Sequence, residues 1–181
     1  MKATFTLLLA LVAANSAFAD NLSLDLNNDA LRISYQNTLN ANYQTEAAWV
    51  HVEDLGNTFT GGLTLTQTFN NDLSAQLGGK AVFQQHDDLP DGTAIAVGGT
   101  LRVTPAANKS VAVALSAYFA PNVLSFGDMN NYRELEVRGE YHVSEQLTAY
   151  VGYRNNRADY EDTAKGAKLY DGAMIGGQFN F

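Results

Sequence analysis

GAMIGGQFNF, residues 172–181, closes the chain with Ala173, Ile175, Gly177, Phe179 and Phe181 alternating against a second set that includes Gln178 and Asn180. A period of two belongs to a strand with two different faces, not to a helix. Soluble domains commonly end in a frayed polar tail, whereas here a large aromatic stands in mid-alternation. The stretch therefore reads as a strand that must be paired along its length.

The same period runs back through the chain. It is clearest at Leu63/Leu65, Leu73/Ala75/Leu77/Gly79/Ala81/Phe83, Ile95/Val97/Gly99/Leu101/Val103, Val111/Val113/Leu115/Ala117/Phe119, Leu135/Val137/Gly139/Tyr141 and Leu147/Ala149/Val151/Tyr153. Each set is spaced by polar or small residues, as in a strand with one apolar face. The pattern predicts ten strands, near 21–27, 30–36, 43–52, 57–70, 73–84, 93–104, 110–120, 132–143, 147–155 and 169–181. The first two rest on the short runs Leu22/Leu24/Leu26 and Leu31/Ile33/Tyr35, so eight strands is the alternative.

At the other end, Met1-Lys2, an apolar run from Phe5 to Ala14 and Ala17-Phe18-Ala19 have the form of a secretory signal peptide, with cleavage expected after Ala19. The run is too short for a membrane-spanning helix. Residues 20–181 are then one domain by length. The absence of cysteine removes disulfides, thiolate chemistry and Cys-based metal sites. Without Lys2, 10 Lys and Arg face 19 Asp and Glu, a net charge of −9, which argues against a nucleic-acid binder. No run of apolar residues after the leader is long enough for a membrane helix, so any crossing must be made as a closed barrel.

The connections support that form. Those at 70–72, 105–109 and 144–146 are short, whereas 85–92, 121–131 and 156–168 are longer. Short turns at one end and long loops at the other describe an outer-membrane barrel with its long loops outside the cell. On the apolar face, Tyr35, Phe69, Tyr141, Phe179 and Phe181 fall toward the short-turn end, and Trp49, Phe59, Phe83, Phe119 and Tyr153 toward the long-loop end. Two aromatic belts flanking an aliphatic band suit a barrel wall in lipid. Alternation by itself also fits a soluble sandwich with this face turned inward; the ordering of the aromatics and the terminal strand favour the membrane form.

The opposite face carries Arg32, Lys80, Arg102, Arg138 and Arg154, with Asp25, Glu46, Glu134, Glu136 and Glu140. These groups would line the interior, either as an ion-pair network filling it or as a charged pore lining. Barrels of about eight strands are filled by side chains, and those of about 16–18 leave a water channel. Ten strands lie near the filled limit, so a narrow or plugged lumen is expected, one that joint replacement of Glu136 and Arg138 should widen.

In AIAVGGTL (94–101), YFAPNVLSFGDMNNYRE (118–134), VGYRN (151–155) and the closing GGQFNF the chain resembles the YfaZ family of predicted outer-membrane proteins, described as porin-like. The resemblance implies a small outer-membrane β-barrel of poorly defined function and supplies no catalytic residues. The ending also resembles the C-terminal signal read by the barrel assembly machinery, with Gly176, Phe179 and Phe181 at its glycine and aromatic positions and Met174 where a polar residue is usual.

Candidate chemistry is sparse. His142 and Ser144 stand two apart, with Glu140 on the face of His142, but Ser144 falls in a turn and a hydrolase needs base, acid and oxyanion hole in one place. The acidic loops Asp87/Asp88/Asp91 and Asp159/Glu161/Asp162 read as solvated charge rather than a Ca²⁺ site. Arg133, Arg157, Lys165 and Lys168 lie near the outer rim, within reach of lipopolysaccharide phosphates. The sequence thus predicts an all-β, antiparallel up-and-down transmembrane β-barrel, not an enzyme, monomeric and without cofactor. Its partners would be outer-membrane lipid, lipopolysaccharide and the assembly machinery. It would be porin-like with a narrow or plugged charged lumen for small solutes, or else a non-conducting barrel whose outer loops contact lipopolysaccharide or a partner.

Overall fold

A computed structural model describes residues 20–70, 72–86, 91–160 and 167–181. The expected leader (1–19) lies outside these residues, as do Asp87, Asp88, Glu161, Asp162 and Lys165. The chain is all β: β1 (Asp20–Leu26), β2 (Ala30–Thr38), β3 (Tyr43–Val52), β4 (Gly56–Asn70), β5 (Leu73–His86), β6 (Gly92–Val103), β7 (Val111–Ala120), the short β8 (Ser125–Gly127), β9 (Met129–His142), β10 (Leu147–Tyr160) and β11 (Ala167–Asn180). Sequential neighbours pair antiparallel, β7 pairs with β9, β5 with β6, and β11 pairs back to β1. The result is a closed ten-stranded barrel, with β8 attached to the end of β6 as a short flap. Closure leaves no strand edge facing lipid. The seam is fastened by reciprocal backbone bonds between Asp20 and Phe181, 3.2 and 3.0 Å.

Side-chain oxygens close the turns at the periplasmic end. Asn40 accepts from the backbone N–H of Asn42 and Tyr43, Asn70 from Asp72, Asn108 from Ser110, and Ser144 from Gln146 and Leu147. Such local bonds favour turns over continued strand. The opposite end is less uniform than the sequence suggests, because 27–29 and 53–55 are tight turns too. Asn27 accepts from the N–H of Asp29 and Ala30, and the second turn uses positive φ at Asp54 and Gly56. A Cβ on Gly56 would stand 2.3 Å from the carbonyl oxygen of Gln85, so this position needs glycine twice over.

Strands extend beyond the sequence reading at the extracellular end. The segment 156–168, read as a loop, contains the end of β10 and the start of β11; 121–131 contains a 3₁₀ turn at Asn122–Leu124, β8 and the start of β9. Here Asn155, Arg157 and Asp159 share the outward face while Ala158 and Tyr160 are buried. Beyond the lipid band the apolar face turns inward, so a search for outward apolar residues misses these turns of strand. Register shifts at 156/157 and 159/160 mark bulges in the same region.

Leu24, Leu65, Leu77, Val97, Leu115, Leu135, Val151 and Ile175 are all exposed on the outer face. The outer aromatics form part of one cross-strand row, with Trp49 opposite Phe59, Phe59 opposite Phe83, Phe83 opposite Thr93 and Thr93 opposite Phe126. Phe126, inside the segment 121–131 that the sequence assigns to a loop, thereby joins Trp49, Phe59 and Phe83. Phe119, Tyr153 and the periplasmic-end residues Tyr35, Phe69, Tyr141, Phe179 and Phe181 occupy the same outward parity.

Candidate functional site in the barrel lumen

The inward face of each long strand changes character along its length. On β5, going from the periplasmic to the extracellular end, it reads Gln76, Lys80, Val82, Gln84; on β9, in the opposite direction, Tyr132, Glu134, Glu136, Arg138, Glu140. The lumen is accordingly divided: apolar groups and the buried Gln84 fill its extracellular half, and charges, amides and hydroxyls share the part toward the periplasm.

The charged layer brings together all the inward-facing ions expected from sequence. Arg32 bonds Asp25 at 3.2 Å and Glu46 at 2.7 Å. Arg154 reaches the same Asp25 oxygen at 3.0 Å and holds Glu136 through Nε at 2.7 Å. Glu136 lies 3.6 Å from Arg138, Arg138 donates to Glu140 at 2.6 Å, and Glu140 accepts from Arg102 at 3.1 Å. These contacts make one continuous chain of alternating charge across β1, β2, β3, β6, β9 and β10. Lys80 and Glu134 form a separate pair at 2.5 Å, with the Tyr132 hydroxyl donating to the same Glu134 oxygen at 2.7 Å. Lys80 also lies over the Tyr118 ring, 4.1 Å from its centre. Buried charges are tolerated when paired and hydrogen-bonded in this way.

Two residues that sequence reasoning treated otherwise take part in this layer. Tyr150 was not singled out, yet its hydroxyl donates to Asp25 and its ring lies 5.0 Å from the Arg138 guanidinium. Gly176, assigned to the assembly signal, faces Tyr150 directly across the β10–β11 ladder. A Cβ at Gly176 would stand 2.3 Å from the Tyr150 ring, so the glycine is the space in which that ring lies. Small residues opposite large ones are how small barrels fill their interiors.

Extracellular to the charges, the lumen is occupied by apolar side chains, a feature the sequence reading missed. Val82, Ala94, Ala96, Ala120, Met129, Tyr132, Ala158, Tyr160 and Leu169 form one buried cluster; Ala30, Val50, Val52, Tyr170 and Met174 form another. The available signal was a run of apolar residues at inward parity near the extracellular strand ends, such as Ala94/Ala96 and Val50/Val52. Above the first cluster, His86 links three elements, with Nδ1 2.7 Å from the Leu55 carbonyl and Nε2 2.8 Å from the Tyr160 hydroxyl. His86 is the last residue of β5, not a loop residue as read from sequence.

Amides and hydroxyls lie among the charges: Gln36 donates to Glu46 at 2.7 Å, Gln76 to Gln44 at 2.7 Å, and Thr100 and Ser116 are paired at 2.7 Å, level with Glu136 and extracellular to Arg102, Arg138 and Glu140. Among these residues and the charges lies a cavity of about 80 Å³. His142 lies 2.9 Å from the Thr148 hydroxyl through Nδ1, while Ser144 Oγ accepts from its own turn. The pair read as a possible hydrolase motif is thus engaged in separate local structure. His51 stacks on Trp49 at the outer surface, with ring centres 6.0 Å apart.

A family profile described as YfaZ precursor matches residues 2–181. Outer membrane protein YfaZ of Escherichia coli (strain K12) is 28% identical over 133 residues, covering 74% of this chain and 72% of that protein. Among solved structures, the outer membrane channel DcaP of Acinetobacter baumannii is 8% identical with a TM-score of 0.47, covering 93% of this chain, which spans 55% of that channel. The NanC porin is 10% identical with a TM-score of 0.46, covering 90% of this chain and 98% of that one. With a closed ten-stranded wall, an exposed apolar face and a family profile spanning nearly all its length, the chain is an outer-membrane β-barrel protein and belongs to the YfaZ family.

Proposed function

We propose that this protein is a porin-like barrel held closed in its extracellular half, with a polar vestibule open to small hydrophilic solutes from the periplasm. The observation that carries the proposal is the buried apolar cluster around Met129, Tyr132 and Tyr160, stacked on the chain of ion pairs. Hydrophobic constrictions resist wetting and act as gates, while the neutralised charge layer beneath offers no net attraction to either sign of ion. The protein acts without chemistry on its solute, without a cofactor and as a monomer. His142 and Ser144 bonded to different partners support the non-enzymatic assignment. Outer-leaflet lipid and lipopolysaccharide surround the wall on this view, and the assembly machinery reads Gly176, Phe179 and Phe181.

Planar-bilayer conductance of the refolded full chain tests the proposal. The unmutated barrel should show small or intermittent steps. Replacing Glu136 and Arg138 by alanine should leave them small, because the apolar cluster remains. Replacing Met129 and Tyr132 by alanine as well should produce stable open steps. Large, non-gated steps from the unmutated protein would end the closed-barrel proposal.

A further inference from the structure

One cross-strand row of the outer wall gathers three cations. Phe119 on β7 stands opposite Arg133 on β9, Arg133 opposite Arg157 on β10, and Arg157 opposite Lys168 on β11. Three cations therefore occupy neighbouring positions on three consecutive strands, all at outward parity. Like charges directly opposite one another destabilise a sheet, so the row calls for an anion. Asp171 meets part of that demand, at 3.5 Å from Arg157 and 3.3 Å from Lys168, and Asp159 accepts from Asn131 in the next row outward. Arg133 makes no salt bridge among the described residues, and Arg157 Nε is buried without an acceptor.

The depth of the row is informative. Toward the periplasm, the outward positions beyond Arg133 are Leu135, Val137, Gly139 and Tyr141. That length of tilted strand spans roughly 20 Å, close to the height of a barrel's apolar band. The cations therefore stand where the lipid-facing band ends and headgroups begin. Directly beneath them the next row runs Leu77, Gly99, Ala117, Leu135, Asn155. Because Gly99 and Ala117 are small, this part of the wall is hollowed into an open apolar groove of about 1040 Å³, bounded also by Tyr153. A guanidinium pair above an apolar groove matches a phosphate joined to acyl chains, since arginine forks bind phosphate bidentately.

We propose that Arg133, Arg157 and Lys168 hold the phosphate of an outer-leaflet phosphoglycolipid whose acyl chain lies in the Leu77–Gly99–Ala117–Leu135 groove. The site is on the wall and is independent of whether the lumen conducts. Delipidated full-length protein, refolded in detergent, is mixed with diphosphoryl lipid A and the bound lipid is counted by native mass spectrometry. The unmutated barrel should retain one lipid. Arg133→Gln/Arg157→Gln should lose at least about tenfold in retention, as expected for loss of a bidentate phosphate contact. Lys109→Gln, at a periplasmic turn, should behave as the unmutated protein. Heat-dependent gel mobility checks that each variant is folded. A second arm needs no mutation: lipid A stripped of both phosphates should bind the unmutated barrel as poorly as the double variant binds the phosphorylated lipid. Equal retention of the two lipids, equal retention by the double variant, or displacement of the lipid by millimolar inorganic phosphate would each overturn the proposal, the last by showing a free-phosphate site.

Discussion

Arg154→Met isolates what the ion pairs contribute to the barrel. Arg154 is 2% exposed and faces two carboxylates, Asp25 at 3.0 Å and Glu136 at 2.7 Å. At an effective dielectric of about 20, each contact is worth about 5–6 kcal/mol of Coulomb energy before desolvation is counted. Removing the arginine leaves Asp25 with Arg32 and the Tyr150 hydroxyl, and Glu136 with Arg138 at 3.6 Å. Neither carboxylate is abandoned, but both lose their main partner in a buried place, and loss of one member of such a pair typically costs 3–5 kcal/mol. Arg154→Met should therefore destabilise the refolded barrel by about 3 kcal/mol or somewhat more, measured by urea unfolding in lipid vesicles. Adding Glu136→Gln should recover part of that loss, because the uncompensated charge goes with it, and the four-member cycle gives the coupling. A loss below about 1 kcal/mol in a folded Arg154→Met barrel, or strict additivity in the cycle, would refute the view that the pairing holds the layer together.

Two further outcomes follow from the last strand. Gly176→Ala places a Cβ against the Tyr150 ring, which must move off its bond to Asp25; the expected cost is about 1–3 kcal/mol by unfolding midpoint, and Tyr150→Ala should remove only part of it, because the Leu24 carbonyl oxygen would stand 2.7 Å from the same Cβ. Phe181→Ala keeps the reciprocal backbone bonds to Asp20 and removes only the ring, which stacks with Phe179 at 6.1 Å; if the ring is read during biogenesis, outer-membrane levels should fall sharply while the purified variant refolds normally in detergent. Unchanged surface levels would count against that role.

The wall was legible in the sequence because lipid imposes a simple rule on it. Every outward side chain in the band must be apolar, so Leu77, Val97, Leu115 and Leu135 announce their strands one residue in two. The inward ions were legible for the same reason, since a charge at the opposite parity can only point into the barrel. Partner choice was not. Arg32 could have met any of several carboxylates by charge alone, and its bonds to Asp25 and Glu46 follow from the registers β1–β2 and β2–β3. The apolar clusters escaped because Met129, Tyr132, Tyr160, Leu169 and Tyr170 come from strand ends where the outward face is polar and the period inverts.

By itself, then, the sequence determined the two faces, the direction each charge points and most of the aromatic belts, all of which depend on the parity of a residue within its own strand. Only the tertiary structure decided that ten strands close, which charges meet, that Gly176 is the space occupied by Tyr150, that three separate cations stand in one row, and that buried apolar clusters occupy the extracellular half of the lumen. Those features depend on the register between paired strands. Turn geometry sets that register within a hairpin and barrel closure sets it at the β1–β11 seam, so the parity of residues within one strand does not contain it.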